Sequence, residues 1–185
     1  MVFLDESGFL LTPTVRRTLA PRGRTPILET WDRHDRISAI SGVTISPKRR
    51  RLGLCFRLLP DDTNARGEDT VAFLKQLHEQ IRGPMTILWD GSNIHDRCRA
   101  VKQYLAAHPE IRTERLPSDA PETNPDENVW QHTKHGRLAN FAPEDTRELR
   151  RVLIEELDRV HSRPDLLAAF LKHAKVPVRL RKSSS

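Results

Sequence analysis

Three acidic side chains, Asp5, Asp90 and Glu127, stand where the chain could gather them at one place. Val2-Phe3-Leu4 and Met85 to Trp89 are short apolar runs, each read as a buried strand that stops at an aspartate. The third acid follows a loop that opens at Leu116 and is broken by prolines. Asn124 then suits an N-cap, Pro125 a first helical residue, and Asp126 and Glu127 the first turn. Ligand and active sites of α/β sheets gather outside the carboxyl ends of strands, so the three acids could converge. Carboxylates held together repel one another unless cations neutralise them, and hard, oxygen-seeking Mg²⁺ or Mn²⁺ suits such donors. Two such ions about 4 Å apart can activate a water or hydroxyl and stabilise the leaving oxygen of a phosphodiester. The same residues have a plainer use. Aspartate after a strand and glutamate in a first helical turn are common as turn and capping residues. Spacing alone does not choose between these readings.

The elements that must position these acids follow from periodicity. Ile37 to Ile45 and Leu52 to Leu58 alternate as half-buried strands, joined by the basic turn Ser46 to Arg51 into a hairpin. Residues 9–36 carry prolines, glycine and the arginines Arg16, Arg17, Arg22 and Arg24, and read as mostly irregular. Val71, Leu74, Leu77 and Ile81 follow helical spacing, with Glu68 and Asp69 near the start and Gly83-Pro84 as the stop. A second amphipathic helix carries Ile94, Cys98, Val101 and Leu105 and closes at His108-Pro109. Ile111 to Leu116 is a short strand. Leu149, Val152, Leu153, Leu157 and Val160 make a long helix, and Leu166, Leu167, Phe170 and Leu171 another after the break at Ser162-Arg163-Pro164. Three antiparallel strands followed by alternating helices and strands predict an α/β fold, a mixed five-stranded sheet with helices on both faces.

At 185 residues the chain suits one domain with a real core. A hydrophobic content of 37% and a charged content of 30% describe a polar globular protein. The net charge of +6 leans towards nucleic acid, or towards a surface merely solubilised by arginine. Cys55 and Cys98 lie far apart without metal-like spacing, which predicts a reduced, cytoplasmic protein. No signal peptide or membrane-length apolar run is present. Residues 177–185 read as a basic, disordered tail. The abrupt start in Val-Phe-Leu suggests a missing upstream region.

Three runs of residues carry a resemblance. Phe3-Leu4-Asp5-Glu6-Ser7-Gly8, the run from Trp89 through Asp90 to His95 (Trp-Asp-Gly-Ser-Asn-Ile-His), and the run Ala120 to Trp130 (Ala-Pro-Glu-Thr-Asn-Pro-Asp-Glu-Asn-Val-Trp) resemble the catalytic motifs of mariner-type DDE transposases. The likeness is strongest to their bacterial insertion-sequence branch. Residues 20–26 look like the basic segment that follows the first motif, and the resemblance covers roughly residues 1–160. It implies an RNase H-like catalytic domain over residues 1–176 that cuts double-stranded DNA at transposon ends and joins the freed 3′ hydroxyl to target DNA. It also implies a metal site of Asp5, Asp90 and Glu127 holding Mg²⁺ or Mn²⁺, two ions in all. Glu127 is preferred to Asp126 because the family pattern is Asn-Pro-x-Glu.

Neighbouring residues take lesser roles. Glu6 is expected on the opposite face from Asp5, and Asp126 as a partner of the helix dipole. His95 matches the family histidine, as a DNA contact or a structural residue. Trp130 is expected to pack and Lys134 to be solvated. Asp119 and Thr123, in the loop before Glu127, depart from the usual aromatic and leucine of the family. The upstream helix-turn-helix region of the family has no counterpart here, which suggests a separately encoded DNA-binding half or a truncated remnant. The resemblance also implies a homodimer or higher assembly and action on the nucleoid. The alternatives are an inactive remnant that binds DNA through its arginines (Arg16, Arg17, Arg22, Arg24 and Arg49 to Arg51), and an RNase H-like nuclease without strand transfer.

Overall fold

A computed structural model describes residues 1–24, 26–29, 35–46, 51–90, 98–117 and 121–177. The strands are β1 (Val2–Leu10), β2 (Arg36–Ser46), β3 (Arg51–Leu58), β4 (Met85–Trp89) and β5 (Ile111–Arg115). The helices are α1 (Gly67–Ile81), α2 (Arg99–Ala107), α3 (Pro125–His135), α4 (Thr146–His161) and α5 (Pro164–His173), with one 3-10 turn at Pro121–Thr123. The sheet order is β3-β2-β1-β4-β5. The first three strands pair antiparallel, while β4 pairs parallel with both β1 and β5. The mixed five-stranded sheet is therefore as predicted.

Strand alternation divides the core into two layers. Phe3, Phe9, Ile37, Val43, Ile45 and Leu54 face α3, α4 and α5, where Val129, Trp130, Leu153, Leu157 and Leu167 meet them. Val2, Leu4, Ile40, Met85, Ile87 and Trp89 face the other way, onto Phe73, Leu74 and Leu77 of α1 and Val101 of α2. Helices thus cover both faces, and each buried aliphatic or aromatic side chain contributes about 1.5–3 kcal/mol.

Two expectations are corrected. β1 does not stop at Asp5; it runs to Leu10, because β2 pairs with it as far as Leu10 opposite Arg36 and Phe9 buries a further apolar side chain. Asp5 therefore lies mid-strand, opposite Ser41. It is nonetheless beyond the last β1–β4 pair, Phe3 with Leu88. The irregular segment begins at Leu11 rather than Phe9, and its early part is anchored. Thr14 bridges Ala139, and Asn140 bonds both the N–H and the carbonyl of Arg16. Ile94, the start of the second predicted helix, lies outside the described residues, as does the tail from 178 onward.

Close packing of α1 on the sheet depends on Gly42. A Cβ there would stand 2.8 Å from Val2 Cγ1 and 3.7 Å from the Phe73 ring. Val2 is fully buried and cannot swing aside. Gly42→Ala is expected to destabilise the fold by about 1–3 kcal/mol in urea unfolding, with Val2→Ala non-additive in the double variant. An unchanged midpoint would contradict this packing.

Candidate active site

The N-terminus of α3 is fastened to the middle of the sheet by its own capping residue. Asn124 holds an extended backbone, as expected before a proline. Its Oδ1 accepts the N–H of Asp126 at 3.0 Å, and its Nδ2 donates to the carbonyl of Leu4 at 3.3 Å. One side chain therefore caps the helix and bonds the strand residue just before Asp5. Pro125 needs no N–H partner at the first helical position.

This docking sets the acids. Asp5 shares its sheet face with Ser41, since alternate residues of β1 and their β2 partners point the same way. Asp126 is fully buried between α3 and the sheet, and its Oδ2 accepts the Ser41 hydroxyl at 2.6 Å. Its Oδ1 has no hydrogen-bond partner. Glu127, half-buried, meets Asp5 in a carboxyl–carboxyl hydrogen bond and also accepts from Gln131 Nε2 at 3.0 Å. Asp90 is the exposed residue directly after β4. The parallel register of Val2 with Ile87 and Phe3 with Leu88, continued two residues, brings Asp90 level with Asp5 one strand away. Glu6, by the same register, sits on the opposite face with Ile40.

Two acids hydrogen-bonded to each other need a proton between them. Asp5 is pushed up to about 8, first by burial and then by the hydrogen bond and charge of Glu127. Asp126 is raised well above the carboxylate range, by burial first and then by the charge of Asp5. The expectation that Asp126 serves as a partner of the helix dipole is corrected by its position, because its side chain is buried under the helix against Ser41 instead of standing at its open end. Four side chains, Asp5, Asp126, Glu127 and Ser41, form one patch of oxygen donors. Sequence reasoning missed Ser41 and the burial of Asp126, which arise from strand register and not from any local pattern.

Other singled-out residues are also placed. Trp130 is buried, edge-on to Phe9 at 5.7 Å. Lys134 is not simply solvated; its Nζ lies 5.3 Å over the Phe9 ring. Arg16 donates to the carbonyl of His135 at the end of α3, a helix-terminal contact. Thr123 lies in the 3-10 turn before Asn124. His95, Asp119, Arg49 and Arg50 lie outside the described residues.

The family model for the DDE superfamily endonucleases matches residues 1–150. The chain belongs to the DDE superfamily endonuclease family. No curated protein matches it. Among solved structures, this DDE chain is similar to the Mos1 mariner paired-end complex with Mn, at 12% identity and a TM-score of 0.61, over 96% of this chain and 56% of that one. It is similar to the Mos1 strand transfer complex at 13% identity and a TM-score of 0.61, over 94% of this chain and 54% of that one. The catalytic domain of Mos1 mariner transposase matches at 13% identity and a TM-score of 0.53, over 96% of this chain and 83% of that domain. At these identities the likeness shows the fold, the RNase H-like arrangement of the Mos1 catalytic domain. The DDE chain spans just over half the length of the longer Mos1 chains.

The acid patch gives the fold a pH dependence. The folded carboxyl of Asp5 titrates near 8 and the unfolded one near 3.8. The folded chain therefore keeps a proton that the unfolded chain has lost between those values. The stabilisation from neutral Asp5 is complete below about pH 4 and is lost as pH rises through about 8. In chelator, the urea midpoint is expected to rise as pH is lowered from about 8 to about 5. Asp5→Asn should remove much of that slope, leaving the part due to Asp126. A wild-type midpoint flat across this range would contradict the shared proton.

Proposed function

We propose that residues 1–176 are the catalytic domain of a transposase, in which Asp5, Asp90 and Glu127 hold divalent cations and act on phosphodiester bonds of double-stranded DNA. The observation that carries this reading is the contact of Asp5 with Glu127 on a half-buried sheet face, with Asp90 level by register. The donor set fits hard cations: all oxygen, more negative than its surroundings neutralise, with a buried Asp126 oxygen left unpartnered beside it. Bound Mg²⁺ or Mn²⁺, two ions in all, would supply Lewis acidity towards a phosphodiester and its attacking oxygen. The chain itself does the positioning. Asn124 fixes the helix entry, Gln131 bonds the Glu127 carboxylate, and the Ser41–Asp126 bond ties α3 to β2 beneath the site. Asp126, whose proton affinity burial raises, lies beneath the three proposed ligands and is not one of them.

The proposed reactions are water attack at a transposon end and attack of the freed 3′ hydroxyl on target DNA. Mos1 structures that hold paired ends and a strand transfer complex support this pairing of reactions on the same fold. The motif likeness to the bacterial insertion-sequence branch supports action on the nucleoid. Among the described residues, no helix is long and apolar enough to cross a membrane. The net charge of +6 and the exposed Arg17, Arg22 and Arg24 between β1 and β2 support phosphate contacts. Exposed Val15, Leu19 and Ile27 on the same segment support a homodimer or higher assembly. A separately encoded helix-turn-helix half would supply recognition of the ends.

With such a DNA-binding half present, Mn²⁺ and an end-bearing duplex should give nicked and joined products. Asp5→Asn, Asp90→Asn and Glu127→Gln should each lower nicking at least about a hundredfold, beyond the usual effect of losing a residue that merely supports a ligand. Nicking unchanged in Asp90→Asn would overturn the site. Cut ends without joined products would favour a nuclease, and salt-sensitive binding without cleavage would favour a DNA-binding remnant.

A further inference from the structure

A second group of metal-ligating side chains lies at the other end of the sheet. His78 is in the last turn of α1, His108 directly follows α2, and Glu110 immediately precedes β5. Glu110 Oε1 stands 3.2 Å from His78 Nε2 and 3.1 Å from His108 Nδ1. One ligand atom from each residue lies within 4.8 Å of the others. We infer that His78, His108 and Glu110 form a binding site for a Zn²⁺-class transition cation, clamping α1 to α2 and to the start of β5.

Donor chemistry and geometry carry the inference. Two imidazoles and one carboxylate are a borderline-soft set that suits Zn²⁺, whereas Mg²⁺ prefers oxygen alone. Around a tetrahedral zinc with bonds of roughly 2.0–2.2 Å, neighbouring ligand atoms lie about 3.3 Å apart. Both separations from Glu110 are already close to that value. The carriers are fixed as well. The N–H of Arg82 closes α1 on the His78 carbonyl at 3.0 Å, and the Ile111 N–H bonds the His108 carbonyl at 2.9 Å. The carbonyl of Glu110 accepts the Met85 N–H at 3.1 Å. Tyr104 packs on the His108 ring at 4.4 Å, and the two imidazoles meet edge to face at 4.9 Å. The three side chains remain 28–32% exposed, so a cation can enter. A groove of about 410 Å³ lined by Lys75, Glu79, Arg82 and Tyr104 adjoins the histidines, with room for a water or small anion beside them.

This site stands apart from the acid patch. Glu110 pairs with the first residue of β4, whereas Asp90 follows its last, and a five-residue strand is roughly 16 Å long. The inference therefore does not rest on the transposase reading, and either can fail without the other.

The test is calorimetric titration of the full chain with Zn²⁺, read beside thermal unfolding and circular dichroism. With Mg²⁺ present to fill the acid site, one zinc per chain is expected, with a rise in Tm and no displacement as Mg²⁺ is raised to millimolar. His78→Gln, His108→Gln and Glu110→Gln should each weaken binding at least about tenfold to a hundredfold and remove the rise in Tm. Asp90→Asn should bind Zn²⁺ as the wild type does. No wild-type binding at micromolar Zn²⁺ would overturn the inference, leaving the cluster an ordinary histidine–carboxylate contact. So would folded His108→Gln binding as tightly as wild type, or displacement by Mg²⁺. The wild-type titration decides even if a variant fails to fold.

Discussion

Two carboxyl groups in hydrogen-bond contact on a half-buried surface must share either a proton or a cation. Asp5 and Glu127 are such a pair, and much of the surrounding structure serves to keep them together. Mutual repulsion would part them if each were on a mobile element. Neither is. Asp5 is on the central strand of the sheet, paired with Ser41 of β2 just past the end of the β4 pairing, and Glu127 is in the first turn of a helix whose cap is bonded to the same strand. Burial then turns the strain of like charge into a raised proton affinity instead of into separation. That is the electrostatic condition under which a hard divalent cation gains most by replacing the proton.

The supporting layer explains why this helix cannot drift. Asn124 makes one bond to the helix and one to the sheet, so the cap and the docking are a single constraint. Asp126 adds a second through Ser41. Farther along α3, Trp130 against Phe9 and Lys134 over the same ring hold the helix to the far half of β1. The extension of β1 to Leu10 therefore matters to the site, since it provides the Phe9 anchor. Arg16 and Asn140 then tie the segment that leaves β1 to the end of the same helix.

Much of the fold was legible because its signals are local. Alternation in Ile37 to Ile45 and in Leu52 to Leu58, the helical spacing from Val71 to Ile81, and the Asn124-Pro125 start all follow from neighbours in sequence. The end of β1 was not legible. Asp5-Glu6-Ser7-Gly8 reads as a polar tip, yet strand pairing with β2 and the burial of Phe9 carry the strand through it. The acids were found by motif, but their contact was not, and nothing local distinguishes a buried Asp126 from an exposed one. Its burial depends on Ser41, 85 residues earlier in the chain. The His78, His108 and Glu110 cluster was invisible for the same reason, as its members meet only once α1 and α2 pack side by side.

Anomalous diffraction from crystals grown with Mn²⁺ would test most directly what occupies the gap between these acids. The expected result is a manganese peak within bonding distance of Asp5 and Glu127 oxygens, with Asp90 turned towards it and the carboxyl–carboxyl hydrogen bond gone. A map with no peak at these acids, and with Asp5 and Glu127 still bonded to each other at saturating Mn²⁺, would contradict a cation site there.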